Sequence, residues 1–130
     1  MAFRVLDSSA FYAGIPFSSN ETSYITSLVY DEIKHIKKDH DAVQILIETK
    51  RLMISDPEHR FIITANNAAK KSGDFSNLSD EDVSTIALSL QLKAELVTDD
   101  FAISNVAKNL SIKVIPVMTS GIKNLSLIHI

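Results

Sequence analysis

Short apolar runs in this chain stop on acids and then give way to helical patterns. Phe3 to Leu6 runs into Asp7, and the strand-like Glu95-Leu96-Val97-Thr98 runs into Asp99-Asp100. After Asp7, the stretch Ser8 to Ala13 has cap residues at its front and Gly14 and Pro16 at its end, the signature of a short helix. After Asp99, Ile103, Val106, Ala107 and Leu110 recur at helical spacing. Phe17 to Thr22 is a polar turn region, and Ser27 can cap a helix reaching about Lys38, with Leu28, Val29, Ile33 and Ile36 on one face and Glu32 inside it. Val43, Leu46, Ile47 and Met53 predict a second helix from about Asp41 to Met53, before the Asp56-Pro57 break. Phe61-Ile62-Ile63 is short and β-branched and reads as a strand, Asn66 to Lys71 as a short helix stopped by Gly73, and Asp74 to Asn77 as a loop. Ser79-Asp80-Glu81-Asp82 opens a periodic helix through Val83, Ile86, Ala87 and Leu90. Lys113 to Ile115 is a strand ending at Pro116, and Leu125 to Ile130 alternates as an edge strand would.

Strands alternating with helices predict an α/β fold, a three-layer α/β/α sandwich around a mainly parallel sheet, with residues 1–130 forming one domain. In such sheets ligands bind beyond the carboxyl ends of the strands, which is where Asp7 and Asp99-Asp100 fall.

With 45% hydrophobic residues over 130 positions the chain can build a substantial core. The absence of cysteine excludes disulfides, thiolate metal sites and cysteine nucleophiles. The N-terminus meets an acid too early for a signal peptide, and no apolar run approaches the ~20 residues a bilayer span needs, so a cytoplasmic setting without a membrane partner is expected. The net charge of −3 does not argue against RNA: five of the 16 Asp and Glu belong to the candidate site, and the remaining 11 face 13 Lys and Arg.

Each acid has a structural explanation. Asp7 or Ser8 can cap the first helix, Asp82 stands where the second half of a capping box belongs, and Asp99 or Asp100 can cap the helix that follows. Together they suggest more, because two neighbouring strand ends would hold like charges whose repulsion a cation relieves. Clustered oxygen donors without cysteine or paired histidine suit Mg²⁺ or Mn²⁺ and phosphate chemistry. His35, His40, His59 and His129 lack metal-ligand spacing, no G-x-S-x-G elbow occurs, and three glycines allow neither a P-loop nor a dinucleotide fingerprint. Lys34, Lys37 and Lys38 share a helical face beyond Glu32, and Lys70-Lys71 precede Gly73; such faces usually serve solvation but could grip an RNA backbone.

Four segments together resemble a PIN domain over essentially the whole chain: Val5-Leu6-Asp7-Ser8-Ser9-Ala10-Phe11, Tyr30-Asp31-Glu32-Ile33, Leu78-Ser79-Asp80-Glu81-Asp82 with Ile86-Ala87-Leu88, and Val97-Thr98-Asp99-Asp100-Phe101. Ala69-Lys70-Lys71-Ser72-Gly73-Asp74-Phe75, the run from Thr98 to Ala107 and Ser120-Gly121-Ile122 are similar to the Nob-type endoribonucleases that trim the 3′ end of small-subunit rRNA. The resemblance implies that Asp7, Glu32, Asp82 and Asp100, helped by Asp99, hold one or two Mg²⁺ or Mn²⁺ ions for RNA cleavage. In the minimal scheme Asp7, Asp82 and Asp100 bind the ion, Glu32 orients or deprotonates the attacking water, and Ser9 or Thr98 buttress the carboxylates. Lys34, Lys37, Lys70, Lys71 and Asn105 are candidates for contacting the substrate, precursor rRNA of the small ribosomal subunit. The resemblance also allows a homodimer. Two departures stand out: the family continues into a cysteine-rich zinc ribbon that these residues lack, and Ser104 stands where glutamine is common.

Rival readings are a PIN-type toxin ribonuclease of a toxin-antitoxin pair, a non-catalytic ribosome-assembly scaffold, and a phosphoacceptor signalling domain. The last needs an aspartate ending a middle strand and a lysine ending a later one. Phe61-Ile62-Ile63 leads instead into Thr64-Ala65, and Val114-Ile115 into Pro116.

Overall fold

The alternation of apolar runs and helical patterns resolves into one parallel sheet with helices on both faces, in a computed structural model that describes residues 3–17, 21–34 and 40–117. Among these residues the strands are β1 (Arg4–Leu6), β2 (Ser23–Ile25), β3 (Leu52–Ile54), β4 (Glu95–Val97) and β5 (Val114–Ile115). They lie in the order β3-β2-β1-β4-β5, and every pairing is parallel. The helices are α1 (Ser8–Tyr12), α2 (Ser27–Ile33), α3 (His40–Glu48), α4 (His59–Ser72), α5 (Asp80–Leu92) and α6 (Phe101–Asn109). None is long and apolar enough to cross a membrane.

Successive strand residues point to opposite faces, and this splits the core in two. Leu6, Ile25, Leu52 and Val97 pack against Phe11, Val29, Ile33, Val43 and Leu46 of α1, α2 and α3. Val5 and Leu96 pack on the other face against Ala65, Ala69, Ile86, Ile103 and Val106 of α4, α5 and α6. The large apolar side chains sealed this completely contribute about 1.5–3 kcal/mol each through burial, enough to fix which face each takes. The predicted three-layer α/β sandwich is therefore the observed one. Helix α5 is buried from Val83 through Ser89, more completely than its periodicity implied. Two of its buried polar members are accommodated locally: the Ser84 and Thr85 hydroxyls both donate to the Glu81 carbonyl, at 2.7 and 2.9 Å.

Several predicted elements need correction. Phe61-Ile62-Ile63 is not a strand but lies in the opening turns of α4, continuous with the predicted helix at 66–71. Phe61 and Ile62 pack into a helical stripe with Ala65, Ala68 and Ala69, so packing overrides β-propensity. The helix predicted from Asp41 to Met53 ends at Glu48, and Leu52–Ile54 is the edge strand β3. Lys50 reverses the chain at φ 60°, and Arg51 N–H closes on the Leu46 carbonyl at 2.9 Å. A lysine in this left-handed role gives none of the warning a glycine would. Strand β2, immediately after the polar turn, was not predicted. Asp74 to Asn77, read as a loop, contains a 3-10 turn over Phe75–Asn77. Helix α2 is capped at Lys34, and the predicted continuation to Lys38 and the edge strand at 125–130 lie outside the described residues.

Candidate active site

Because every strand is parallel, all strand carboxyl ends share one edge of the sheet. Connections run outward from β1 through β2 to β3 on one side and from β4 to β5 on the other, so the topological switch point falls between β1 and β4. In open α/β sheets the ligand crevice forms at that point. Here it is flanked by Asp7 and by Thr98-Asp99-Asp100.

Asp7 caps α1. Its Oδ1 accepts the Ala10 N–H at 2.8 Å and the Ser9 hydroxyl at 2.7 Å. The register pairing Leu6 with Val97 brings Thr98 alongside, and the Thr98 hydroxyl donates to Asp7 Oδ2. Thr98 Oγ1 in turn accepts the Asp100 N–H at 3.0 Å, while Asp100 Oδ1 caps α6 through the Ile103 N–H at 3.0 Å. A hydrogen-bonded sequence thus runs from the Asp100 backbone through Thr98 to a carboxylate only 4% exposed. It fixes the orientation of Asp7 and spaces Asp100 from it across two strands. The amino ends of α1 and α6 both follow strand carboxyl ends at this edge.

Asp82 enters from α5. It completes a capping box, accepting the Ser79 N–H at 3.0 Å while its own N–H donates to Ser79 Oγ at 3.1 Å. Burial pushes its carboxyl above the ordinary carboxylate range, the Ser79 bonds oppose this, and the negative charges of Asp100 and Asp7 raise it further. Asp82 therefore shares an electrostatic environment with the other two acids. The cap roles expected for Asp7, Asp82 and Asp100 are all present.

The remaining predicted site residues divide. Glu32 is exposed on α2 and faces α1, where burial first and the Glu32 charge second raise the Tyr12 phenol above its ordinary value. Asp99 Oδ1 accepts the Val117 N–H at 2.7 Å and so ties the ends of β4 and β5 together. Asn105, predicted to meet substrate, donates to Asp74 at 2.6 Å. Lys34 pairs with Asp31 at 3.1 Å, and Lys70 lies over the Phe75 ring at 5.0 Å. Lys71 lines a separate cleft with Asn67 and Asn109. Lys37 lies outside the described residues.

A hard divalent cation fits this donor set in kind, since it consists of carboxylate and hydroxyl oxygens with no sulfur ligand. Burial is the larger cause of the rise at the Asp82 carboxyl, and the smaller part, from the charges of Asp100 and Asp7, is the repulsion that a cation would relieve. Among the described residues no three histidine or acidic side chains converge tightly enough to cage an ion by themselves.

A family profile described as "PIN domain of ribonuclease" matches residues 5–92, and the chain belongs to the PIN domain family. Among its relatives are proteins named endoribonuclease Nob1. The one from Pyrococcus abyssi is 34% identical over 109 residues, which is 84% of this chain and 65% of that protein. The one from Methanocaldococcus jannaschii is 38% identical over 115 residues, 88% of this chain and 56% of that protein. The chain thus spans less than two thirds of the length of either relative. The fold is also that of a PilT N-terminus domain protein from Sulfolobus solfataricus, with a TM-score of 0.60 at 20% identity, covering 91% of this chain and 89% of that one.

Proposed function

We propose that this protein is a divalent-metal-dependent endoribonuclease of the Nob type that hydrolyses phosphodiester bonds in single-stranded RNA, with the 3′ end of precursor 16S (small-subunit) rRNA as its substrate. The observation that carries the proposal is the junction of Asp7, Thr98 and Asp100 at the switch point of the parallel sheet. The similarity to the archaeal Nob1 endoribonucleases supports the reaction class.

Asp7, Asp82 and Asp100 would hold Mg²⁺ or Mn²⁺ directly or through water. The bound ion would neutralise charge building on the scissile phosphate and acidify a water. Ser9 and Thr98 keep both Asp7 oxygens oriented, and such supporting partners typically matter 10–100-fold. Glu32, with its exposed carboxylate on α2, would orient or deprotonate the attacking water. The dipoles of α1 and α6 would favour an anionic phosphate at the same edge.

The test is incubation with an RNA spanning the 3′ junction of precursor small-subunit rRNA, with and without Mn²⁺, and mapping of the new end. Asp7→Asn and Asp100→Asn should each lower cleavage by more than about 100-fold. Mn²⁺ should also raise the wild-type unfolding temperature, by an amount corresponding to about 2.7 kcal/mol at 100 times Kd, and should not do so for Asp7→Asn. Cleavage retained in both variants overturns the assignment.

A further inference from the structure

Phe101 follows Asp100 directly, opens the first turn of α6, and is 81% exposed, far more than any other large apolar side chain described. An aromatic ring placed in water has no folding reason to be there. Phe101 lines a groove of about 210 Å³ together with Thr98, Ser104, Lys108, Val114 and Pro116, and Asp99 completes its rim. Thr98 and Asp99 belong equally to the acidic edge, so the groove is a continuation of the candidate active site. Phe101, Ser104 and Lys108 fall at i, i+3 and i+7 of α6 and form one stripe about 10 Å long. The stripe leads away from Asp100 and begins with a ring, continues with a hydroxyl, and ends with an ammonium.

An RNA base offers a flat, apolar face to stack on an aromatic side chain, and its backbone offers phosphates to a lysine. Val114 and Pro116 give the groove an apolar wall against which a ring can lie. We propose that this groove is a nucleobase subsite, in which Phe101 stacks on the unpaired base next to the scissile phosphate and Lys108 contacts the adjoining backbone. The proposal rests on the endoribonuclease reading and specifies the substrate as a strand unpaired at that nucleotide. Stacking accepts any base, so the subsite selects single-strandedness and not sequence.

The test uses the full chain and short single-stranded oligoribonucleotides carrying 2-aminopurine, whose fluorescence is quenched on stacking, at successive positions. A matched set has an abasic site at the same positions. At one position the wild-type protein should quench 2-aminopurine. Phe101→Ala should remove that quenching and weaken binding about 5- to 150-fold, the range given by loss of one base–aromatic stack. Phe101→Trp should restore both. The abasic RNA at that position should bind wild type and Phe101→Ala equally. Lys108→Ala should lower the slope of log affinity against log salt by about 0.7, one single-strand phosphate contact. Equal binding of base-bearing RNA by wild type and Phe101→Ala, or equal losses on both RNA sets, overturns the subsite. These readouts need no cleavage: RNA that stacks on Phe101 but is never cut would sink the nuclease reading, and RNA that is cut with no effect of Phe101 would sink the subsite alone.

Discussion

Two acids eight positions apart, Asp74 and Asp82, have their carboxyls moved in opposite directions. Asp74 is buried between α4 and α6 and receives the Ser72 hydroxyl at 2.7 Å and the Asn105 amide at 2.6 Å, and these bonds, Ser72 first, hold its carboxyl below the ordinary range. Asp82 also has donors, yet burial and the charges of Asp100 and Asp7 keep it above the ordinary range. The clasp at Asp74 is electrostatically complete: negative charge meets only donors. At the carboxyl edge of the sheet, negative charge meets negative charge. Asp74 meets donors alone, whereas Asp82, with Ser79 as its donor, also stands in the field of Asp100 and Asp7. Exposure does not separate the two regions, since Asp7 at the candidate site is as hidden as Asp74.

The contrast can be broken most severely at Thr98. Thr98→Val keeps the shape but removes the hydroxyl that joins Asp7 to the Asp100 backbone. RNA cleavage should fall about 10–100-fold, and urea unfolding should show a loss of about 1–3 kcal/mol from the unpartnered Asp7 oxygen. Unchanged kcat in this variant would mean that the junction is not part of the site.

A smaller effect of the opposite kind is expected at the clasp. Asp74→Asn should lower the unfolding temperature by a few degrees at neutral pH and leave cleavage per folded molecule unchanged. Because the native carboxyl is held low, its stabilisation is present above the ordinary carboxylate pKa and is lost as pH falls through the native value. The gap between variant and wild type, followed by thermal melts across acidic pH, should therefore close on acidification. A gap that widened in acid would contradict the assigned direction.

The least change in stability belongs to Asp82→Asn in metal-free protein. The native carboxyl is raised, so ionisation weakens the fold as pH climbs from the ordinary value through the raised one. The variant should be more stable than wild type above that window, by no more than about 1 kcal/mol given partial solvent screening, and equal to it below. Mn²⁺ should reverse the order by stabilising only wild type. A variant less stable than wild type at neutral pH without metal would show that the capping bond to Ser79 outweighs the repulsion.

Much of the site was legible because capping is local. Asp7, Asp82 and Asp100 each bond a backbone N–H three residues away, and that spacing is visible in the residue types. Less was legible where the deciding partner is distant or atypical. Three chain reversals use Lys50, Lys93 and Ser111 in left-handed conformations, so helix ends came without glycine to mark them. Asn105 looked like a substrate contact because its partner Asp74 lies 31 residues away. Phe101 drew attention only as part of a motif; what gave it a role was its exposure, which no residue pattern reports.

The sequence by itself determined the α/β class, the acids that could sit at strand ends, and the caps that seat them, since these depend on contacts within about one helical turn. Only the tertiary structure decided that 61–63 turns with α4, that β3 exists, and that Asp7 meets Thr98 across 91 positions. The physical reason is range. Hydrogen bonds between near neighbours are encoded in adjacent residue types, whereas strand register is chosen by how two faces of a sheet bury their side chains together, and it is that register which sets Asp7 beside Thr98.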